Sequence, residues 1–157
     1  MGAKTILIMR HAEKLDDPRA PDLSPEGRLR AQRLAPYLPA TFGKPDFLVA
    51  TSVSKHSRRP IETLQPLAAQ CGLKIDDSYA DQDYGALAHD LRKDATYDDA
   101  LVVVCWHHGN IPNMMHALKA EAKDYPDPWD RDVFNLILRL DMQEAVPANV
   151  TRVTEPF

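Results

Sequence analysis

Cysteine is scarce in this chain: Cys71 and Cys105 are the only two in 157 residues. They lie far apart and fit no Cys-x-x-Cys pattern, which argues against a zinc knuckle or a redox dithiol. Both are expected to be reduced and mostly buried. Long apolar runs are also missing. The stretch Ile6 to Met9 is too short for a signal-peptide core or a membrane span. Gly2 does not complete a myristoylation motif, because position 6 is isoleucine. A cytoplasmic protein with no membrane partner is expected. There is no excess of positive charge, since the net charge is -4. That disfavours nucleic acid as a partner, because such binding depends on neutralising phosphates. Any anion must instead be held by a local positive pocket. No internal repeat, low-complexity tract or linker divides the sequence, so a single domain over 1–157 is expected. With 44% hydrophobic and 27% charged residues, the chain has the composition of an ordinary globular domain.

What is present alternates between strand and helix patterns. Thr5 to Met9 is an apolar run of strand length ending abruptly in Arg10-His11, as in a strand buried on both faces. Residues 12–23 are polar and read as a loop. Ser24-Pro25-Glu26 starts a helix with an N-cap serine, a proline in the first turn and an acid at the positive helix end. Leu29, Leu34 and Leu38 follow as its apolar stripe. Phe47 to Ala50 is a second short strand. A helix from Ser57-Arg58-Arg59-Pro60 to Cys71-Gly72 is expected, kinked by Pro66. Gly85 to Arg92 is a weaker helix. Leu101 to Cys105 is the strongest strand, rich in valine, and ends at Trp106-His107-His108-Gly109. A helix over Pro112 to Ala122, a Pro- and Asp-rich loop over 124–132 around Trp129, and strands near 135–140 and 150–153 complete the chain. The alternation predicts an α/β fold, a three-layer α/β/α sandwich on a mostly parallel central sheet. Ligands of such sheets bind beyond the carboxyl ends of the strands. Two of the strongest strands end there in Arg10-His11 and in His107-His108.

These residue types suit phosphoryl chemistry. Two guanidiniums, Arg10 and Arg59, grip a phosphoryl group through paired planar hydrogen bonds. A neutral imidazole can attack phosphorus and form a covalent phosphohistidine. A second imidazole donates to the equatorial oxygens. A carboxylic acid protonates the leaving oxygen and later activates water. No metal or other cofactor is called for, because the arginines supply the positive charge. The His107-His108 pair lacks fitting third and fourth metal ligands.

The constellation resembles the histidine phosphatase superfamily, which includes the phosphoglycerate mutases and acid phosphatases. Arg10-His11-Ala12-Glu13 stands where that family has Arg-His-Gly after its first strand. Leu23-Ser24-Pro25-Glu26-Gly27 looks like its Leu-Thr/Ser-x-x-Gly helix start. Arg59-Pro60-Ile61-Glu62-Thr63 is similar to its Arg-Ala-x-x-Thr segment, and Asp81-Gln82-Asp83-Tyr84-Gly85 to its Glu-x-x-Tyr/Phe-Gly segment. His108-Gly109 matches its closing His-Gly. The motifs keep the family's order over roughly residues 5 to 112.

The resemblance implies the phosphoglycerate mutase-like fold and a phosphatase working through phosphohistidine. His11 would be the nucleophile and Asp81 the acid and base, with Asp83 as competitor. His108 would be catalytic. Arg10 and Arg59, with Lys14 and His107, would bind substrate, and Arg58 competes with Arg59. The substrate would be a phosphorylated small molecule or a phosphoprotein. A phosphotransferase of the mutase type and a non-catalytic phosphate-binding module remain alternatives. Departures from the family pattern include Ala12 for glycine, and Lys14 and Asp17 where mutases have serine and asparagine. The run from Val53 to Ser57 is also longer than usual. Tyr125 and Trp129 either wall the pocket or pack on the sheet edge. The oligomeric state has no signature in the sequence.

Overall fold

The structure, a computed structural model, describes residues 2–144 and 147–157. Strands β1 (Thr5–Arg10), β2 (Phe47–Ala50), β3 (Ile75–Asp76), β4 (Leu101–Trp106), β5 (Leu136–Asp141) and β6 (Asn149–Thr154) form one six-stranded sheet in the order β3-β2-β4-β1-β5-β6. The pairings of β1 with β4, β4 with β2 and β2 with β3 are parallel, while β5 and β6 are antiparallel additions. Helices α1 (Pro25–Phe42) and α2 (Arg59–Cys71) cover one face, and α3 (Tyr84–Lys93) and α4 (Ile111–Ala117) the other.

Strand alternation explains why β1 reads as a continuous apolar run. Successive side chains point to opposite faces. Ile6 and Ile8 join the core under α3 and α4 with Val102, Val104, Leu87, Leu91 and Met114. Leu7 and Met9 join the core under α1 and α2 with Val103, Cys105, Leu34, Leu38, Leu64 and Leu67. Each such side chain contributes about 1.5–3 kcal/mol of burial free energy. The two cores clamp the central strands, and thereby fix the point where β1 and β4 give way to polar residues.

The helix starts follow local chemistry. Ser24 Oγ accepts the Gly27 N–H at 3.0 Å, and Pro25 occupies the first turn. The buried stripe of α1 is Gly27, Ala31, Leu34, Ala35 and Leu38. Leu29, expected in that stripe, is exposed, because it falls two positions from both Gly27 and Ala31 and so on another side of the helix. Helix α2 runs through Pro66 and ends at Gly72, which adopts the left-handed conformation at φ 67°. Helix α4 is shorter than expected and ends at Ala117. Lys119 takes φ 67° and the Lys119 N–H bonds back to the carbonyl of His116, so the chain leaves the helix before residue 122. Cys105 is buried and Cys71 half-buried, both unpaired. No helix among the described residues is long and apolar enough to cross a membrane.

Gly27 sits where α1 comes closest to the loop after β1. A Cβ there would lie 2.2 Å from the Glu13 carbonyl oxygen. The Gly27→Ala variant is therefore expected to lose about 2 kcal/mol of stability, read as a lower denaturation midpoint in urea.

Candidate active site

The carboxyl ends of β1 and β4 lie side by side, with Arg10 registered against Trp106. The chain then turns into two loops that bring Arg10, His11, His107 and His108 together. His11 is 2% exposed and its backbone N–H bonds to the Trp106 carbonyl. Its Nδ1 lies 2.7 Å from the Ala12 carbonyl oxygen. A carbonyl only accepts, so Nδ1 carries the proton and Nε2 keeps a free lone pair. Burial pushes this imidazole down to about 2, with Arg10, His107 and Arg59 adding to the shift against the opposing Ala12 hydrogen bond. His11 is therefore neutral at any ordinary pH.

Arg10 and Arg59 supply the positive field. Arg10 is 3% exposed, and its Nη1 donates to the Arg131 carbonyl. Burial, reinforced by Arg59, lowers its guanidinium to about 10, so it stays charged at neutral pH. Arg59 Nη1 donates to the Ala20 carbonyl at 2.8 Å. Burial lowers Arg59 as well, opposed by Glu62 and Asp22. Arg58 points elsewhere: it pairs bidentately with Asp22 at 2.8–3.0 Å on the surface. The longer 53–57 run closes as a tight turn, with Ser54 and Ser57 bonded to each other. Buried Ser57 then accepts the Arg59 N–H at the start of α2. That turn absorbs the extra length and leaves Arg59 facing the site.

The two consecutive histidines differ in their surroundings. The His107 ring packs edge-on against His11, with centroids 5.5 Å apart. Its Nε2 is 3.3 Å from Thr51 Oγ1. Burial lowers His107, Asp81 opposes, and Arg59 and Arg10 add to the lowering. His108 is half-buried, and burial lowers it too, followed by the charges of Arg10 and Lys14. Lys14 itself is exposed at the rim. Asp81 opens a short 3-10 turn, Asp81–Asp83, whose Asp81 carbonyl accepts from the Trp106 indole at 3.2 Å and from Asn110. Asp83 is exposed, and its carboxylate caps its own turn by accepting the Ala80 N–H.

Three buried side-chain polar atoms among the described residues have no hydrogen-bond partner: Arg10 Nε, Arg59 Nε and Asp81 Oδ1. All three belong to this cluster. Buried polar groups are ordinarily satisfied, so two unpaired donors and one unpaired acceptor within one cluster single it out as the candidate site. Cavities of about 360 and 290 Å³ lie at the opposite, amino end of β1, between Arg92 and Met142, and touch none of these residues.

Several supporting groups carry no signal in the sequence. Thr51 meets His107, and Phe134 lies under Arg10 with its ring centroid 3.9 Å from Cζ. Arg30 binds Glu13 bidentately and Glu155 at 2.9 Å, bracing the loop after His11. Burial raises Glu155 to about 7, opposed by Arg30. Tyr125 and Trp129 are buried in the core and do not wall the pocket.

Known structures share this architecture. The mycobacterial glucosyl-3-phosphoglycerate phosphatase in complex with VO3 superposes at TM-score 0.69 with 15% identity, covering 98% of this chain and 100% of that one. The protein histidine phosphatase SixA complexed with tungstate gives TM-score 0.67 and 16% identity over 96% of each chain. The chain has the histidine phosphatase fold. A third structure, the same mycobacterial phosphatase with inorganic phosphate, gives 0.65 and 16% over 95% of this chain and 96% of that one. No family model and no curated protein matches the sequence.

The neutral His11 has a consequence for stability. The unfolded chain takes up a proton below about 6.5 that the folded imidazole refuses until about 2. Stability from this group is thus full above 6.5 and lost as pH falls, by up to about 1.4 kcal/mol per unit. Glu155 acts oppositely, since its raised value favours the fold below about 7, but it is common to both proteins compared. Urea midpoints between pH 7 and 5 are expected to fall more steeply in wild type than in His11→Gln.

Proposed function

We propose that this domain is a phosphatase that hydrolyses a phosphomonoester or phosphoprotein through a covalent phosphohistidine at His11. The observation that carries the proposal is the trio of buried, unpaired atoms in the cluster of His11, His107 and His108: Arg10 Nε, Arg59 Nε and Asp81 Oδ1. Two N–H donors suit phosphoryl oxygens, and one carboxyl oxygen suits a leaving group or a water.

In the first step the Nε2 lone pair attacks phosphorus in line with the departing oxygen. The phosphorus–oxygen bond breaks, and Asp81 in its acid form gives its proton to the leaving oxygen. The Nδ1–H bond to Ala12 persists, so charge on the phosphorylated ring is held by a fixed acceptor. In the second step the Asp81 carboxylate takes a proton from water, the resulting hydroxide attacks phosphorus, and the bond to Nε2 breaks. Neutral His11 and inorganic phosphate result. Arg10 and Arg59 hold the equatorial oxygens in both steps, where charge is spread. His107, packed on His11, and His108, on the Arg10 and Lys14 side, add neutral imidazole N–H donors rather than charge. Asp81 is favoured over Asp83 because Asp83 is engaged in capping. Arg59 is favoured over Arg58 because Arg58 is held by Asp22.

The substrate class is drawn from the shared fold as well as the site. The similar structures are a glucosyl-3-phosphoglycerate phosphatase and a protein histidine phosphatase, both acting on phosphorylated substrates. The unpaired thiols suit a reducing, cytoplasmic setting.

The test is turnover of p-nitrophenyl phosphate with an alkaline, denaturing quench, after which the bound phosphate is challenged with acid. Wild type is expected to carry acid-labile phosphate during turnover, and His11→Ala to lose activity by at least about a thousandfold. Hydrolysis by His11→Ala at the wild-type rate would sink the proposal. Asp81→Asn is expected to slow alkyl phosphates about a hundredfold, and p-nitrophenyl phosphate much less, because a good leaving group needs little protonation. Equal losses on both substrates would place the acid elsewhere.

A further inference from the structure

We propose that Phe134 is a positioning residue for the phosphoryl pocket: its ring, together with the Arg131 carbonyl, fixes the Arg10 guanidinium so that the Nε edge stays open beside His11. The proposal rests on reading the His11 site as a phosphoryl pocket and adds to it the means by which the fork is aimed.

Arg10 has several N–H donors on a group that can rotate about its stem. Nη1 is committed to the Arg131 carbonyl. The guanidinium carbon then sits 3.9 Å from the centre of the Phe134 ring, well within cation–π distance. One edge is thus tied and one face is covered. Nε, buried and without a partner, belongs to the edge left over. The same ring lies 6.2 Å from the His11 ring, so a single half-buried aromatic borders both the cation and the nucleophile.

The fold holds Phe134 there from two sides. It lies two residues before β5, whose Ile137 is registered against Met9 of β1, so the sheet sets its position along the Arg10-His11 segment. On its other side the chain is pinned by buried Trp129, whose indole donates to the Val133 carbonyl at 3.0 Å. The Val133 N–H bonds in turn to the Asp130 carbonyl at 3.0 Å. The 124–132 segment thereby gains a purpose: its aromatic anchor supports the Arg131 carbonyl and the Phe134 ring.

The experiment measures affinity for orthovanadate, a phosphoryl-like oxyanion, by calorimetry on the intact chain. It compares wild type, Phe134→Leu and Phe134→Tyr, each also in an Arg10→Gln background, with thermal melts confirming the fold. Phe134→Leu is expected to weaken vanadate about tenfold, and Phe134→Tyr, which keeps the ring face, to bind within about threefold of wild type. In the Arg10→Gln background the Leu substitution is expected to change nothing further, because there is no guanidinium left to aim. Should Phe134→Leu fail to fold, Phe134→Met takes its place with the same expectation. Undiminished affinity in Phe134→Leu, or an equal loss with Arg10 already removed, would overturn the positioning role while leaving the pocket intact. Failure of wild type to bind vanadate would instead overturn the phosphoryl-pocket reading beneath it.

Discussion

A single buried hydroxyl ties the site together. Thr63 Oγ1 accepts the Ala12 N–H at 2.9 Å and donates to the Arg59 carbonyl at 2.8 Å. It is 1% exposed, so neither bond competes with water, and leaving either partner unpaired costs about 1–3 kcal/mol. Through this one atom the loop that follows β1 is stapled to the first turn of α2. The Ala12 carbonyl fixes the His11 tautomer, and the first turn of α2 carries Arg59. His11 and Arg59, 48 positions apart in sequence, are thus placed by the same knot.

The remaining geometry answers an electrostatic difficulty. A buried guanidinium beside a half-buried one is unfavourable: burial is the largest influence on both, and Arg59 lowers Arg10 further. Asp132, Glu13 and Asp130 offset part of this for Arg10, and Glu62 and Asp22 do so for Arg59. The offsets come from a distance, since no carboxylate closes a salt bridge with either group among the described residues. A directly bound carboxylate would occupy the donors that an oxyanion needs. A chain of net charge -4 can in this way keep a confined positive spot. His11 stays neutral in the same field because burial and two adjacent cations all oppose its protonation.

Much of this was legible in the sequence. Apolar runs of strand length ending in Arg10-His11 and in His107-His108 pointed to the candidate site, because parallel strands buried on both faces must be apolar throughout and change character only where they leave the core. Ser24-Pro25 and Gly72 marked helix ends through capping chemistry that acts within four residues. Leu29 was misleading because spacing near the helical repeat does not say which side faces the sheet. The shortened α4 was hidden because its end depends on a left-handed Lys119, a residue type that does not announce that conformation. Identity of 14–19% to solved structures of similar shape reflects the same physics. Many apolar sequences fill a two-faced sheet, so the fold outlasts the wording of its core.

The sequence by itself determined the strand and helix alternation, the caps, and the types of side chain that gather at the strand ends, because these follow from local periodicity and backbone chemistry. Only the tertiary structure decided between neighbours of the same type. It turned Arg59 inward while Asp22 held Arg58 outside, and it packed His107 against His11 and set His108 toward Lys14. Asp83 was given to a cap, and Phe134 was brought beneath Arg10 from 124 residues away. Those choices rest on contacts between distant segments, which exist only once the sheet register and the two cores have placed them.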